Sequence, residues 1–267
     1  MNMMRFTTMK TKLRKYPSIF LILLLAISSC FLTGCVNQHP KDSKKSSQGE
    51  SVETMLEITD PKEKQAVLNA KAKVKALSGN PRIVATSPAV ADICDKLDLD
   101  LVGVPKSSVS KIPSRYKKVK KVGLAMSPDM EIVSSLNPDW ILAPSSLETD
   151  LKPKFEELKN TEYAFLNLRS VQGMYRSVQE LGEIFGKQQE AEKMTKEFTT
   201  FYKSYTKRNK NKKHPKVLVL MGLPGSYVIA TENSYVGSLV KLAGGENVYQ
   251  NTDQEFLTVN TEDMKKK

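Results

Sequence analysis

The sequence predicts an α/β protein made of two Rossmann-like lobes joined by a long helix. Three observations support this fold class: strand, helix and strand patterns follow one another within residues 82–104, a helical apolar period runs through 188–209, and a second strand–turn–strand–helix series begins at 214. Strand, helix and strand at this spacing indicate a parallel sheet. The 267 residues suffice for two lobes of roughly 100 residues each.

Residues 1–34 are predicted to be an export signal. Basic residues at positions 10–15 precede an apolar run, 19–32, that is short for a membrane-spanning helix. The run ends in Leu-Thr-Gly-Cys, which resembles the lipobox of bacterial lipoproteins and predicts lipidation at Cys35. We therefore expect a protein anchored by lipid on the extracellular face of the cell membrane. Residues 35–80 are predicted to be a polar tether and a charged segment, the latter either a helix or more tether.

The N-terminal lobe is predicted over residues 81–169, with ordered structure beginning at Arg82. After a strand at 82–85, Ser87 caps a helix that ends near Leu97, and a strand follows at 101–104. A basic, serine-rich loop then leads to a second capped helix. Its predicted N-cap is Ser127, with Pro128 in the first helical position, and the next strand lies at 140–143. Met126 precedes this cap without an obvious packing partner.

Residues 170–213 are predicted to be a helical linker. One helix runs from Ser170 to Gly186, and the next covers 188–209, whose 22 residues would span roughly 33 Å. The C-terminal lobe, 214–267, has predicted strands at 216–221 and 227–230 around a tight glycine loop, and a helix at 234–242. A further helix is predicted from Thr258 to Met264 without a following strand, so we expect this lobe to be incomplete.

Catalysis is not expected. The two histidines are His39, in the tether, and His214, which leaves no basis for a Ser-His-Asp site or a multi-histidine metal site. The glycine loop at 222–225 lacks the G-x-S-x-G and phosphate-loop patterns. Cys94, on a predicted helix, is expected to be a small buried residue. The formal charge of +12 comes without interleaved aromatic and basic residues, so nucleic acid is not an expected partner.

Several of these features together carry a family resemblance. They are the lipobox, the pattern G-x-x-x-S-P-x-x-E followed by L-N-P-D, the two-helix linker, and the stretches KVGLAMSPDMEIV, HPKVLVLMGLPGSYVIAT and SYVGSLVKLAGGENV. Over about residues 82–264 the sequence resembles the single-linker-helix class of substrate-binding lipoproteins that feed ABC importers. Within this class it is most similar to the haem-binding lipoproteins of the iron-regulated surface determinant system.

The resemblance implies haem transport, with one haem b per chain held between the lobes. Met126 matches the family's axial methionine, and a thioether is a soft neutral ligand suited to haem iron. Pro88 and Ala89 match contacts at a helix start, and Ser107 and Ser108 fall near loop contacts. The implied partners are an ABC-importer permease and upstream cell-surface haem-relay proteins. For permease docking the implied residues are Glu131 and Glu262, whose alternative interpretation is as solvated helix-start carboxylates.

The sequence departs from the family at the second axial ligand. Neither His39 nor His214 occupies the position of the family's histidine. A siderophore or corrinoid carrier of the same class, which needs no axial methionine, therefore stays open. A non-functional truncated fragment and a surface interaction protein are alternatives from other classes, and a hydrolase is the least supported.

Overall fold

The computed structural model describes Arg5, Phe6 and residues 52–223, 225–260 and 262. Cys35, His39, the predicted export signal beyond residues 5 and 6, and the predicted tether up to residue 51 lie outside the described residues. Of the helix predicted from Thr258 to Met264, residues 261, 263 and 264 also lie outside, and the described residues 258–260 are not helical. Within the described part, no helix is both long and apolar enough to cross a membrane.

The described chain contains thirteen strands and eight α-helices. The strands are β1 (Arg5–Phe6), β2 (Ile83–Ala85), β3 (Leu101–Val104), β4 (Lys120–Lys121), β5 (Gly123–Leu124), β6 (Ser127–Pro128), β7 (Trp140–Pro144), β8 (Glu162–Leu166), β9 (Lys216–Val217), β10 (Leu220–Leu223), β11 (Ser226–Ala230), β12 (Glu246–Asn247) and β13 (Phe256–Leu257). The helices are α1 (Val52–Leu56), α2 (Pro61–Lys75), α3 (Pro88–Lys96), α4 (Met130–Ser135), α5 (Glu148–Glu156), α6 (Val171–Phe185), α7 (Gln188–Asn209) and α8 (Tyr235–Leu242).

Six strands form one sheet in the order β1-β8-β7-β2-β3-β4. Five of them are parallel, and β1 pairs antiparallel with β8 at one edge. The register places Ile83 opposite Leu101 on one side and opposite Trp140 on the other. This confirms the parallel sheet that the strand–helix–strand order predicts. We call this sheet, with the helices packed on it, the sheet lobe.

Both faces of the sheet are covered by helices. Alternate residues of the central strands point to opposite sides, and both sets are apolar and buried beneath helices. Ile83 and Leu142 join a buried cluster that includes α3 and α6, whereas Val84 and Ile141 join another that includes α4 and α5. Cys94 of α3 lies in the first cluster and is completely buried, which raises the pKa of its thiol to about 12. The sequence-based expectation for this cysteine is confirmed.

The charged segment before the sheet is helical. Asp60 caps α2 by accepting a hydrogen bond from the backbone N–H of Lys62 at 2.8 Å, and Val67 and Ala70 are buried in the cluster of α3 and α6. Lys73 forms an ion pair with Glu162 of β8 at 2.5 Å. The expectation that ordered structure begins at Arg82 is therefore wrong, because α2 supplies part of the hydrophobic core.

A buried carboxyl pair between α2 and α6 predicts a pH-dependent stability. Burial first, and then the adjacent carboxyl of Glu63, raise the pKa of Glu180 from its usual 4.5 to about 10. The folded chain thus keeps a proton that the unfolded chain loses, so the free energy of unfolding should fall as the pH rises from about 5 to about 10. We expect Glu180→Gln to flatten this decline in urea unfolding between about pH 6 and about pH 9.

The matched control for Glu180→Gln is Glu183→Gln, almost one turn later on α6. The ion pair of Glu183 with Lys71 lowers the pKa of the Glu183 carboxyl. The contribution of this ion pair to the free energy of unfolding is therefore lost at acidic pH and not at alkaline pH. Glu183→Gln should leave the alkaline decline in place. A decline that persists in Glu180→Gln would contradict the assignment.

Two consecutive helices follow β8 close to the predicted bounds, and the first of them, α6, packs on the sheet. Ser170 caps α6 by accepting a hydrogen bond from the N–H of Gly173 at 3.0 Å, and Gly186 ends this helix with a left-handed φ of 71°. A left-handed residue at this position is usually glycine, because other side chains clash there. Helix α7 covers 22 residues, and near its end the hydroxyl of Tyr205 donates to the carbonyl of Ala243 at 2.9 Å.

The C-terminal region, which we define as residues 214–260, differs from the Rossmann-like lobe that the sequence predicts. The single strand expected at 216–221 is interrupted at Leu218 and Val219. Its first part, β9, pairs parallel with β12, but its second part, β10, pairs antiparallel with β11. With β13 these strands form an antiparallel three-stranded sheet. The predicted glycine loop is thus shorter, because Gly222 and Leu223 belong to β10.

Candidate ligand-binding site

The loops at the carboxyl ends of the parallel strands form one edge of the sheet lobe. In open α/β sheets this is the edge at which ligands bind. Three of these loops carry the predicted binding residues: Pro88 and Ala89 follow β2, Ser107 and Ser108 follow β3, and Met126 follows β4. The topology thus brings these five residues to a common edge.

The first of these loops is held rigidly. Thr86 donates from its N–H to the carbonyl of Leu142 in β7 at 3.0 Å. The hydroxyl of Ser87 then accepts from the N–H of Val90 at 3.3 Å, which confirms it as the N-cap of α3. Pro88 is half-buried and Ala89 is exposed, so the start of this nine-residue helix is accessible.

Met126 lies at the tip of a β-hairpin and not next to a helix cap. Strands β5 and β6 pair antiparallel, with Leu124 opposite Ser127, and Ala125 and Met126 form the two-residue turn between them. The hairpin depends on Gly123, whose φ of 95° is unfavourable for other residues and where an added Cβ would lie 2.9 Å from the N of Asp129. The Met126 side chain is 73% exposed.

The prediction that Ser127 caps the following helix is wrong. Ser127 and Pro128 form β6, so α4 begins later, at Met130, and its N-cap is Asp129. The Asp129 carboxylate accepts hydrogen bonds from the N–H groups of Glu131 and Ile132, each at 3.1 Å.

The serine loop after β3 is tied to this hairpin. The N–H of Lys106 donates to the carbonyl of Gly123 at 2.6 Å. Within the loop, the hydroxyl of Ser107 accepts from the N–H of Ser110 at 3.0 Å, and Ser108 is exposed. The backbone bond therefore places the Ser107 loop directly beside the base of the hairpin that presents Met126.

An apolar cavity of about 480 Å³ lies between the carboxyl edge of the sheet lobe and the C-terminal region. The loops after β7 and β8 contribute Ser146, Leu168 and Arg169, and the C-terminal region contributes Met221, Tyr235 and Phe256, among others. This volume is in the range typical of small-molecule sites. Its lining does not include the five predicted residues, so the structure adds a second set of candidates at the same edge.

Sequence reasoning missed the residues of this cavity. They come from segments far apart in the chain: Arg169 and Glu255, which both line it, are 86 positions apart. A signal that the sequence analysis did not use is the apolar run at 163–166, directly before Leu168 and Arg169, because the loops after parallel strands bind ligands.

His214 does not line the apolar cavity. It is exposed after the end of α7, where its Nδ1 lies 2.7 Å from the carbonyl oxygen of Gly244. In the described ranges, no group of three His, Cys, Asp or Glu side chains could hold a metal ion. His214 therefore does not supply the missing second ligand in this arrangement.

The two predicted docking carboxylates are both on the surface. Glu131 lies in the first turn of α4 and is exposed, and Glu262 is exposed as well. Both positions are compatible with contact to another protein.

Known proteins resemble this chain over most of the described residues. The High-affinity heme uptake system protein IsdE of Staphylococcus aureus (strain Newman) is 41% identical over 188 residues, which is 70% of this chain and 64% of that relative. Among solved structures, an ABC transporter substrate-binding protein from Listeria monocytogenes EGD-e matches with 45% identity and a TM-score of 0.65, over 70% of this chain and 72% of that one.

The crystal structure of S. aureus IsdE complexed with heme matches with 40% identity and a TM-score of 0.64, over 69% of this chain and 71% of that one. Residues 83–267 match the family model described as Periplasmic binding protein. This match covers more than half of the chain and includes most of the sheet lobe and the C-terminal region. The chain is therefore a member of the periplasmic binding protein family.

Proposed function

We propose that this protein is a haem-binding lipoprotein that delivers haem to an ABC importer for iron acquisition. The observation that carries the proposal is the position of Met126, an exposed thioether at the tip of a hairpin on the ligand-binding edge of a periplasmic binding protein fold. The similarity to IsdE supports haem as the ligand. Binding and transport, without catalysis, follow from this assignment.

In this proposal Met126 is an axial ligand of the iron of one haem b. Thioether sulfur is soft and uncharged, and its ligation favours the reduced state of haem iron. Pro88 and Ala89 would contact the ligand at the start of α3, and Ser107 and Ser108 from the adjoining loop. The apolar cavity supplies a surface against which a porphyrin ring excludes water.

The wider assignment follows the family resemblance. We infer that residues 1–34 are the export signal, that Cys35 carries the lipid anchor, and that the chain works on the extracellular face of the membrane. Residues 170–213 would link the N-terminal lobe to the C-terminal one. Glu131 and Glu262 would dock on the permease, and upstream cell-surface proteins would supply the haem.

A haem titration of the purified chain tests the proposal. We expect a shifted Soret band that saturates at one haem per chain. The same titration with a ferric siderophore and with a corrinoid should give no saturable binding. If haem addition gives no Soret shift but the siderophore or the corrinoid binds saturably, the protein is a carrier of that ligand and not of haem.

A further inference from the structure

Arg169 stands where the apolar cavity meets a polar cleft. It follows β8 and lines the cavity of about 480 Å³ as well as a neighbouring cleft of about 500 Å³, whose lining includes Ser170, Glu232 and Lys241. Among the residues that line the apolar cavity, Arg169 and Glu255 are the two with charged side chains. Any anionic group of a ligand in this cavity therefore has one cationic partner within the lining.

Arg169 is paired with Glu255 across the cavity. Its Nε donates to Oε1 of Glu255, which lies just before β13, so the ion pair joins the sheet lobe to the C-terminal region. The Glu255 carbonyl also accepts a hydrogen bond from the N–H of Thr231 at 2.9 Å, which fixes this segment. The two side chains are 32% and 18% exposed, so the pair is only partly screened by water.

The pairing leaves most of the guanidinium available. An arginine carries five N–H donors in a planar fork that fits a carboxylate with two parallel hydrogen bonds. Only the Nε–H group of Arg169 is used within the part of the chain that the structure describes. The terminal Nη1 and Nη2 groups are therefore free to bind a second carboxylate, and the negative charge of Glu255 weakens their attraction for it.

We propose that Arg169 binds a carboxylate of the ligand in the apolar cavity and that Glu255 competes with that carboxylate. This inference rests on the proposed function, since the propionate groups of haem are the carboxylates concerned. A ring with apolar faces and carboxylates on one side matches a cavity with an apolar lining and one cation. Glu255 holds the guanidinium in place and keeps the cavity electrically neutral until the ligand enters.

The test compares porphyrins with and without free carboxylates. Metal-free protoporphyrin and its dimethyl ester share the ring but differ in charge, and neither involves Met126 as an iron ligand. Fluorescence titration of the unchanged chain should show tighter binding of the free acid. In Arg169→Gln we expect this preference to fall by about tenfold or more, the size of a lost charge-assisted hydrogen bond. Arg169→Lys should restore part of it.

Glu255→Gln separates ligand binding from a purely structural role. Glutamine keeps an oxygen that accepts a hydrogen bond from Arg169 Nε but removes the competing negative charge. The free acid should therefore bind several-fold tighter, because a partly exposed charge no longer repels its carboxylates. If the ion pair only holds the lobes together, Arg169→Gln and Glu255→Gln should both weaken binding of acid and ester alike. That result would overturn the proposal, and thermal unfolding of both variants checks that they fold.

The outcomes also distinguish this inference from the proposed function. The same comparison with haem and its dimethyl ester shows whether iron ligation changes the result. Haem binding with equal affinity for the ester overturns the role of Arg169 and leaves haem transport in place. Failure of the unchanged chain to bind any of the four porphyrins overturns both.

Discussion

Replacing Met126 by alanine is expected to lower the affinity for haem by more than about 100-fold, because loss of a ligand should exceed the roughly 10–100-fold loss that follows removal of an outer-shell partner. The thioether is the iron ligand in the proposed site, and alanine offers no donor atom. The side chain is 73% exposed at the turn of the β5–β6 hairpin, so its removal should change the free energy of unfolding by less than about 0.5 kcal/mol. The measurements are a haem titration and urea unfolding.

Leu124→Ala is the matched control for Met126→Ala. Leu124 lies on the same hairpin and is 58% exposed, but it has no sulfur. We expect haem affinity within about twofold of the unchanged chain. An unchanged Soret band and affinity in Met126→Ala would rule out its role as axial ligand, whereas equal losses in both variants would point to the hairpin surface.

Replacing Phe155 by alanine is expected to lower the free energy of unfolding by about 3–5 kcal/mol. Phe155 of α5 is completely buried beneath the sheet, and its ring stacks on that of Phe165 at 5.8 Å and contacts that of Tyr163 at 5.8 Å. Alanine removes the ring and leaves a cavity that the rigid strand β8 cannot fill. Urea unfolding measures the change.

Phe201→Ala is the control for Phe155→Ala. Phe201 lies on α7 with 61% of its surface exposed, although its ring stacks on Tyr205 at 6.1 Å. We expect a change within about 0.5 kcal/mol. A loss of comparable size in both variants would show that the exposed aromatic residues of α7 contribute more to the fold than their burial indicates.

Elements with strong local signals were predicted within one or two residues. Ser87 and Pro88 mark the start of α3 by capping and fixed φ, and Gly186 marks the end of α6 by its left-handed conformation. These signals depend on the residue's own backbone, so they are readable without the fold. The buried strands β2 and β7 follow from short apolar runs between turns.

Elements decided by pairing between segments were not predicted. Ser127 and Asp129 are both good N-caps, and the pairing of β6 with β5 decides between them. In the same way, the predicted single strand is divided because β9 pairs with β12 and β10 pairs with β11. Such choices depend on contacts outside the segment, which intrinsic preferences do not contain.

The sequence predicted those residues of the candidate site that belong to short motifs. Met126, Pro88 and Ser107 were identified by resemblance and fall on one edge of the sheet, which agrees with a shared ligand but does not test it. Arg169 and Glu255 lie in the cavity only because the C-terminal region packs against the loops after β7 and β8. No local pattern links residues 86 positions apart.

The hydrogen bond from Lys106 N–H to the Gly123 carbonyl couples the serine loop to the methionine hairpin. Ordering either segment on its own would cost conformational entropy, but the bond makes the two segments a single preorganised unit. A ligand that contacts both segments therefore meets one ordered unit and not two flexible ones. In the proposed function, release from Met126 would also weaken the contact with Ser107. Such coupling would suit a carrier that must bind its ligand tightly and then release it completely.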